Sequence, residues 1–431
     1  MFIIYDLIFL LISLLYLPSY IFRGKFHAGF WQRLGLLPRN LPPAGAVWVH
    51  AVSVGEAAAM KGLLEEIRRR FPEKRIVFST VTATGNQVAR AMLKAEDCLI
   101  YLPLDFSFIV RRVLAKFKPA LFIIAETEIW PNLISCLYRH KVPLAVVNGR
   151  ISDRSFAGYS RIRPFLRPLL NKISAFCVQA QRDKERLMRL GVAAEKIEVT
   201  GNMKFDTAPD RQAGVNTDKR KKLGLAPEDK LWVCGSTHPG EEKVIFTAYK
   251  DLLVDFPRLK LLVAPRHPQR CAEIERLAQE LGLRALSISH ADLTNLTGTP
   301  VAFLLDTVGE LVNYYAVADI VFVGGSLVKK GGHNILEPAL FAKPIIFGPQ
   351  MFNFRDIAEL FLAQNAAVMV YNGKGLKENV ARLLRAAAGN LLGGNARALI
   401  AQNQGATARN MQIIARLLAL ANTRSCKYDG D

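Results

Sequence analysis

The sequence predicts an α/β protein built from two consecutive doubly wound domains, each a parallel sheet with helices on both faces. Three observations predict it. From Ala46 onward, apolar β-branched runs alternate with stretches of helical hydrophobic period, the signature of βαβ units. The alternation pauses between Asp206 and Lys230 and then restarts, in a chain whose 431 residues exceed what one core usually supports. Short polar motifs follow the apolar runs, and ligands of such folds sit beyond the carboxyl ends of the strands.

Taken in order, the chain begins with an apolar stretch. Between Phe2 and Phe22 only Asp6 is charged, and about 20 apolar residues suffice to span a bilayer. No Lys or Arg precedes it, whereas Arg23, Lys25 and Arg33 follow, which predicts that the rest of the chain lies in the cytoplasm. Residues 1–22 are therefore read as a single N-terminal membrane anchor, with Asp6 and Pro18 favouring a segment that lies in the interface as the alternative. Residues 23–205 form the first domain, with strands expected at Val47–Val52, Arg75–Thr80, Ala120–Ala125, Pro143–Val147 and Ala175–Val178, and a helix over Glu56–Phe71. Residues 206–230, rich in Ala, Pro, Asp and Lys, are the expected connection. The second domain, 231–395, carries expected strands at Leu231–Gly235, Leu259–Ala264, Val301–Leu305, Ile320–Val323 and Pro344–Phe347. A C-terminal helix over 396–422 is expected to pack back on the first domain.

Lys and Arg outnumber Asp and Glu by 57 to 37, a formal charge of +20 that favours anionic partners. A nucleic-acid partner is not expected, because no recognised module is present and the basic residues are not interleaved with aromatics as a strand-binding groove requires. The six cysteines form no CxxC pair, which fits free thiols in a reducing compartment and suggests neither zinc nor disulfides.

The polar motifs carry the chemistry. GGSLVKKGGHNILEP, Gly324 to Pro338, reads as strand, glycine-rich turn and helix, a geometry suited to an anion. Asn334 and Glu337, three residues apart, are expected to lie together. HAVSVGE places Glu56 on the first turn of a helix, AETEIWPN places Glu126 and Glu128 just beyond a buried strand, and TGNMKFD carries Lys204. GSTHPGEE, APRHP and DTVGEL occupy the corresponding positions in the second half. Ser53, Thr84 and Asp306 read equally well as helix caps, and Glu56 as an acid favoured at a helix start.

In this order along the chain, SVGE, ETEIWPN, GSTHPGEE, APRHP and GGSLVKKGGHNILEP resemble the motifs of the 3-deoxy-D-manno-octulosonic acid (Kdo) transferase family, over roughly residues 20 to 420. The resemblance implies a GT-B glycosyltransferase fold, two Rossmann-like domains facing a central cleft. It also implies CMP-Kdo as donor, a phosphorylated tetraacylated lipid A precursor as acceptor, and inversion at the anomeric carbon without a catalytic metal or other cofactor. It marks Glu56 as general base and Glu126 and Lys204 as groups that stabilise the transition state. For CMP it marks Arg266 and His267, the loop Val308, Gly309 and Glu310, and the segment Asn334, Ile335, Leu336 and Glu337. Ser236 and Thr237 are possible further donor contacts. The chain departs from the family pattern at Leu305 and Val308, where glycine and a larger residue are expected.

On the acceptor side, Arg150, Arg154, Arg161, Arg163 and Arg167 interleave with Ile162, Phe165, Leu166, Leu169 and Leu170, a mixture suited to a membrane surface carrying phosphorylated lipid. The competing reading is another membrane-associated GT-B enzyme that uses a UDP- or GDP-sugar.

Overall fold

A computed structural model of the chain describes residues 5–11, 13–15, 29–38, 41–206, 218–289, 301–385 and 388–425. The chain divides into two compact units, Met1–Thr207 with Asn403–Asp431, and Ala208–Gln402.

The first unit is a seven-stranded parallel sheet. Its strands are β1 (Val47–His50), β2 (Ile76–Thr80), β3 (Cys98–Tyr101), β4 (Leu121–Ala125), β5 (Leu144–Gly149), β6 (Ala175–Val178) and β7 (Ile197–Val199). They are ordered β3-β2-β1-β4-β5-β6-β7, so the order reverses between β1 and β4. Both faces are covered, which is why β1, β2, β4 and β5 are buried at every position. One face packs Trp48, Val77 and Phe122 against Phe117, and Trp48 Nε1 donates to Ser79 Oγ at 2.8 Å. The other packs Val47, Val49 and Phe78 against Leu63, Ile67, Met411, Ile414 and Leu418.

The last three of these residues belong to the helix Ala406–Ser425, which lies on the first unit. The Asp206 carboxylate accepts from the backbone N–H groups of Gly405 (2.7 Å) and Thr407 (2.5 Å), and Arg409 Nε donates to the Thr200 carbonyl at 2.7 Å. The chain thus leaves and re-enters the first unit at neighbouring points.

The second unit is also a seven-stranded parallel sheet: β8 (Lys230–Thr237), β9 (Leu259–Pro265), β10 (Arg284–Ser287), β11 (Val301–Leu304), β12 (Ile320–Val323), β13 (Ile345–Phe347) and β14 (Val368–Met369), ordered β10-β11-β9-β8-β12-β13-β14. Of the expected connection, residues 207–217 lie outside the described residues. Residues 218–230 are folded into this unit, because Lys219 pairs with Glu310 at 2.6 Å and Arg220 with Asp319 at 3.2 Å.

The helix expected over Glu56–Phe71 is two helices, Val54–Ala59 and Lys61–Arg70, broken at Met60. Of the expected caps, Ser53 accepts from the Glu56 N–H. The cap of the next helix, Ala83–Met92, is Thr82 rather than Thr84. Asp306 caps no helix and instead accepts from the Ser289 N–H at 3.2 Å. Cys98, Cys136, Cys177, Cys234 and Cys271 are free and buried.

Most of the expected anchor lies outside the described residues, and no described helix is long and apolar enough to cross a membrane. Residues 5–11 and 13–15 are helical, with Leu7, Leu11, Leu14 and Leu15 exposed. Asp6, the one charge of the stretch, is bound. Its carboxylate accepts from Ser107 N–H (3.0 Å), Ser107 Oγ (2.6 Å) and Asn132 Nδ2 (2.7 Å), while the Phe9 ring meets Phe106 edge-on at 5.0 Å.

Candidate active site

In the first unit the functional side chains stand at the carboxyl ends of the central strands. Glu56 lies just after β1, in the first turn of Val54–Ala59. Its Oε1 accepts from Ser53 Oγ (2.7 Å) and its Oε2 from the Val52 N–H (2.8 Å), a capping arrangement that fixes the carboxylate without using all its lone pairs. Glu126 follows β4 directly with φ of 57°, a left-handed backbone that costs a non-glycine residue on the order of 1–3 kcal/mol. Lys204 Nζ stands 3.4 Å from Glu126 Oε1. Its loop is tied down by Asn148, whose Oδ1 accepts from the Met203 N–H at 2.9 Å, and by Asn202, whose Oδ1 accepts from the Lys204 N–H at 3.0 Å.

The carboxylates act on one another. Burial raises the Glu56 carboxyl, the hydrogen bonds from Ser53 and Val52 oppose this, and the charge of Glu126 adds to the rise. Burial also lifts Glu128 to about 7, with the charges of Glu56 and Glu126 contributing. Like charges converging in a half-buried site disfavour full ionisation, and a carboxyl tuned upward in this way is a competent proton acceptor near neutral pH. Among the described residues, no cluster of three or more His, Cys, Asp or Glu side chains is placed to hold a metal.

The structure divides the second-unit candidates sharply. Arg266 and His267 follow β9 and are exposed, with the Arg266 N–H donating to the Thr237 carbonyl at 2.9 Å. Ser236 has φ of 56°, a second strained non-glycine position at a strand end. Thr237 is buried and its hydroxyl donates to Glu242 Oε1 at 2.9 Å, so it offers no free hydroxyl. Val308 projects outward, 86% exposed, beside Gly309 with φ of 87°. The Glu310 carboxylate is occupied by Lys219 (2.6 Å) and by Thr307 Oγ1 (2.8 Å). Asn334 and Glu337 do lie together, Nδ2 donating to Oε1 at 3.1 Å. Ile335 and Leu336 between them point into the core, which leaves only their backbone for a ligand.

The glycine-rich turn departs most from expectation. Its first N–H groups do not wait for a phosphate, because the buried Glu241 carboxylate accepts from Gly325 (2.7 Å), Ser326 (3.0 Å), Leu327 (2.9 Å) and also His238 (3.0 Å). The helix that follows is short, Leu336–Leu340. Gly324 is required by packing, since a Cβ there would lie 2.5 Å from the Ser236 carbonyl oxygen. Glu128 was placed with Glu126 beyond a buried strand but given no role, and Glu241, His238 and His333 were not singled out from sequence. Glu241 carried a readable signal, because PGE after β8 mirrors VGE after β1.

On the acceptor side, Leu166, Leu169 and Leu170 belong to the core, whereas Ile162 and Phe165 are exposed. An apolar cavity of about 410 Å³ lies beside them, lined by Tyr5, Ile129, Pro131, Tyr159 and Leu166.

The family described as 3-deoxy-D-manno-octulosonic-acid transferase (kdotransferase) matches residues 28–207. The 3-deoxy-D-manno-octulosonic acid transferase of Haemophilus influenzae is 34% identical over 377 residues, 87% of this chain and 88% of that protein. The enzyme of the same name from Chlamydophila psittaci is 31% identical over 374 residues, 84% of each. A glycosyltransferase crystal structure from Rickettsia africae matches 87% of this chain and 99% of its own with a TM-score of 0.52. At 12% identity that likeness concerns fold alone, and the two parallel-sheet units resemble those of GT-B glycosyltransferases. Identity sustained along most of both chains goes further than a shared fold, and on that footing this chain, a glycosyltransferase, belongs to the Kdo transferase family.

Proposed function

We propose that the enzyme transfers Kdo from CMP-Kdo to a phosphorylated, tetraacylated lipid A precursor of lipopolysaccharide, with inversion at the anomeric carbon and release of CMP. The observation that carries the chemistry is the convergence of Glu56, Glu126, Glu128 and Lys204 beyond β1 and β4, with Glu56 held by two hydrogen bonds. In this reading an acceptor hydroxyl oxygen attacks the anomeric carbon and its proton passes to Glu56. The bond from that carbon to the phosphate oxygen breaks, and its electron pair leaves with CMP. Lys204 compensates negative charge on the donor, and Glu126 faces the positive character that develops on the sugar ring. The second unit supplies the donor site, with the Arg266 guanidinium on the phosphate and the Asn334–Glu337 pair on the ribose.

The same proposal places the enzyme at the cytoplasmic face of the inner membrane, held by an N-terminal anchor. The exposed leucines of residues 7–15 and the arginines around Phe165 support it. It needs no metal, so activity should survive dialysis against EDTA.

The test is direct. Purified protein is incubated with CMP-Kdo and the lipid precursor, and the product is read by mass spectrometry, which reports donor, acceptor and number of transfers together. A mass increase of whole Kdo units supports the proposal. Transfer from a UDP-sugar but not from CMP-Kdo overturns it in favour of a different glycosyltransferase.

A further inference from the structure

His238 and His333, 95 positions apart in sequence, meet nitrogen to nitrogen, with their Nε2 atoms 2.9 Å from each other. The ring planes differ by only 5°. The ring centroids are 5.2 Å apart, about the nitrogen contact plus the two ring radii, so the parallel rings lie edge to edge and share one N–H···N hydrogen bond. One ring therefore donates through Nε2–H and the other accepts, which fixes opposite tautomers. The donor ring still has a lone pair on Nδ1. A single added proton can settle there and turn the contact into a charge-assisted imidazolium–imidazole bond, whereas a second would set two N–H groups against each other and break it.

The surroundings explain why that proton is absent when the site is empty. Arg266, Arg270 and Lys330 bring positive charge toward His238, and His267 stands beside it with ring centroids 6.3 Å apart. Arg266, His267 and His238 act likewise on His333. Of the nearby carboxylates, Glu241 and Glu242 Oε1 are engaged, while the buried Glu242 Oε2 has no hydrogen-bond partner among the described residues. Glu241 accepts four backbone N–H groups, and Glu242 is bound by Arg270 at 2.7 Å and by Thr237. Arg270 is thus met by Glu242 and by Glu273 at 3.1 Å, whereas Arg266 and Lys330 form no ion pair among the described residues and remain as positive charge for an anion to meet.

We propose that the His238–His333 pair is a proton-uptake element of the donor site, neutral when the site is empty and taking one proton from solvent as an anionic phosphate binds. This rests on reading the second unit as the CMP-Kdo site. Burial and the neighbouring cations hold His333 down to about 4 and keep His238 below its ordinary value. A bound phosphate cancels the cations' effect and offers the new Nδ1–H an acceptor. The proton lies where charge gathers on CMP as it departs, so the pair acts on the leaving group rather than on the attacking hydroxyl.

The probe is CMP, titrated into the full-length protein by calorimetry at pH 7.0 in buffers of different ionisation enthalpy, such as Tris, HEPES and PIPES. The slope of the observed enthalpy against buffer enthalpy counts protons exchanged. Uptake approaching about one proton per CMP is expected, and a cationic site can only pull protons off the CMP phosphate itself, so uptake reports the protein. In His333→Gln the slope should fall to near zero while CMP still binds, about tenfold more weakly. CMP binding with zero slope in the unmodified protein overturns the pair's role and leaves the donor assignment standing, as does an unchanged slope in a folded His333→Gln. No CMP binding at all overturns both.

Discussion

At the scale of the residue, two glutamates show how environment decides what a side chain can do. Glu56 and Glu241 each sit at the start of a helix after the first strand of their unit, an inner strand of its sheet, and each accepts from a preceding backbone N–H. Glu241 also holds three amides of the glycine-rich turn and is fully buried, so its charge is committed to structure. Glu56 is half-buried and keeps lone pairs free beside Glu126 and Glu128. Glu56→Gln should lower kcat by at least about 10³-fold while CMP affinity stays within about twofold, measured by product formation and calorimetry. The base works only when ionised, and burial with the Glu126 charge raises its pKa above the ordinary carboxylate value, so the rate should fall as pH drops through that raised value. Glu126→Gln removes one cause, and the acidic limb of the kcat profile should move to lower pH. Glu128 has a thermodynamic signature as well. Its folded-state pKa of about 7 exceeds the ordinary glutamate value of 4.5, so the folded state binds more protons than the unfolded one, and stability is lost as pH rises from 4.5 through 7. Glu128→Gln should therefore stabilise the protein by about 3 kcal/mol at pH 8 and by nearly nothing at pH 4, read from denaturant melts. The Asn334–Glu337 contact was legible from its three-residue spacing, although Asn334 precedes the helix at Leu336 and reaches Glu337 from outside its first turn. His238 and His333 were not, since nothing in a sequence ties positions on two different strand ends.

At the scale of the element, legibility followed burial. The four strands the sequence did not announce, β3, β7, β10 and β14, are the four edges of the two sheets. An inner parallel strand is covered on both faces and reads as a continuous apolar run. An edge strand is shorter and partly wet, as in Arg284–Ser287, where one of four positions is buried, or Val368–Met369, where neither is. The glycine-rich turn was legible as a turn, but its occupant was not. Four N–H groups converge on one carboxylate there, so Glu241→Ala leaves buried donors unsatisfied. A loss of about 3 kcal/mol in stability is expected, together with weaker CMP binding, because the turn leads into Asn334. Glu241→Gln, of equal size, can satisfy only part of the set and should lie between the two.

At the scale of the whole molecule, the last helix matters out of proportion to its position. Met411, Ile414 and Leu418 of Ala406–Ser425 close one face of the first sheet. Ending the chain before Ala406 removes on the order of 5 kcal/mol of apolar burial from that unit. Its melting transition should drop or vanish in calorimetry, while that of Ala208–Gln402 persists and CMP still binds. The course of the chain was legible from its alternating pattern, whereas the clamp formed by Asp206 with Gly405 and Thr407 spans some 200 positions and leaves no local trace. That clamp dictates an order of events during synthesis. A ribosome finishes every residue of the second unit before it reaches the helix that seals the first, so the later part of the protein can close while the earlier part still exposes an open apolar wall awaiting the twenty residues of that helix.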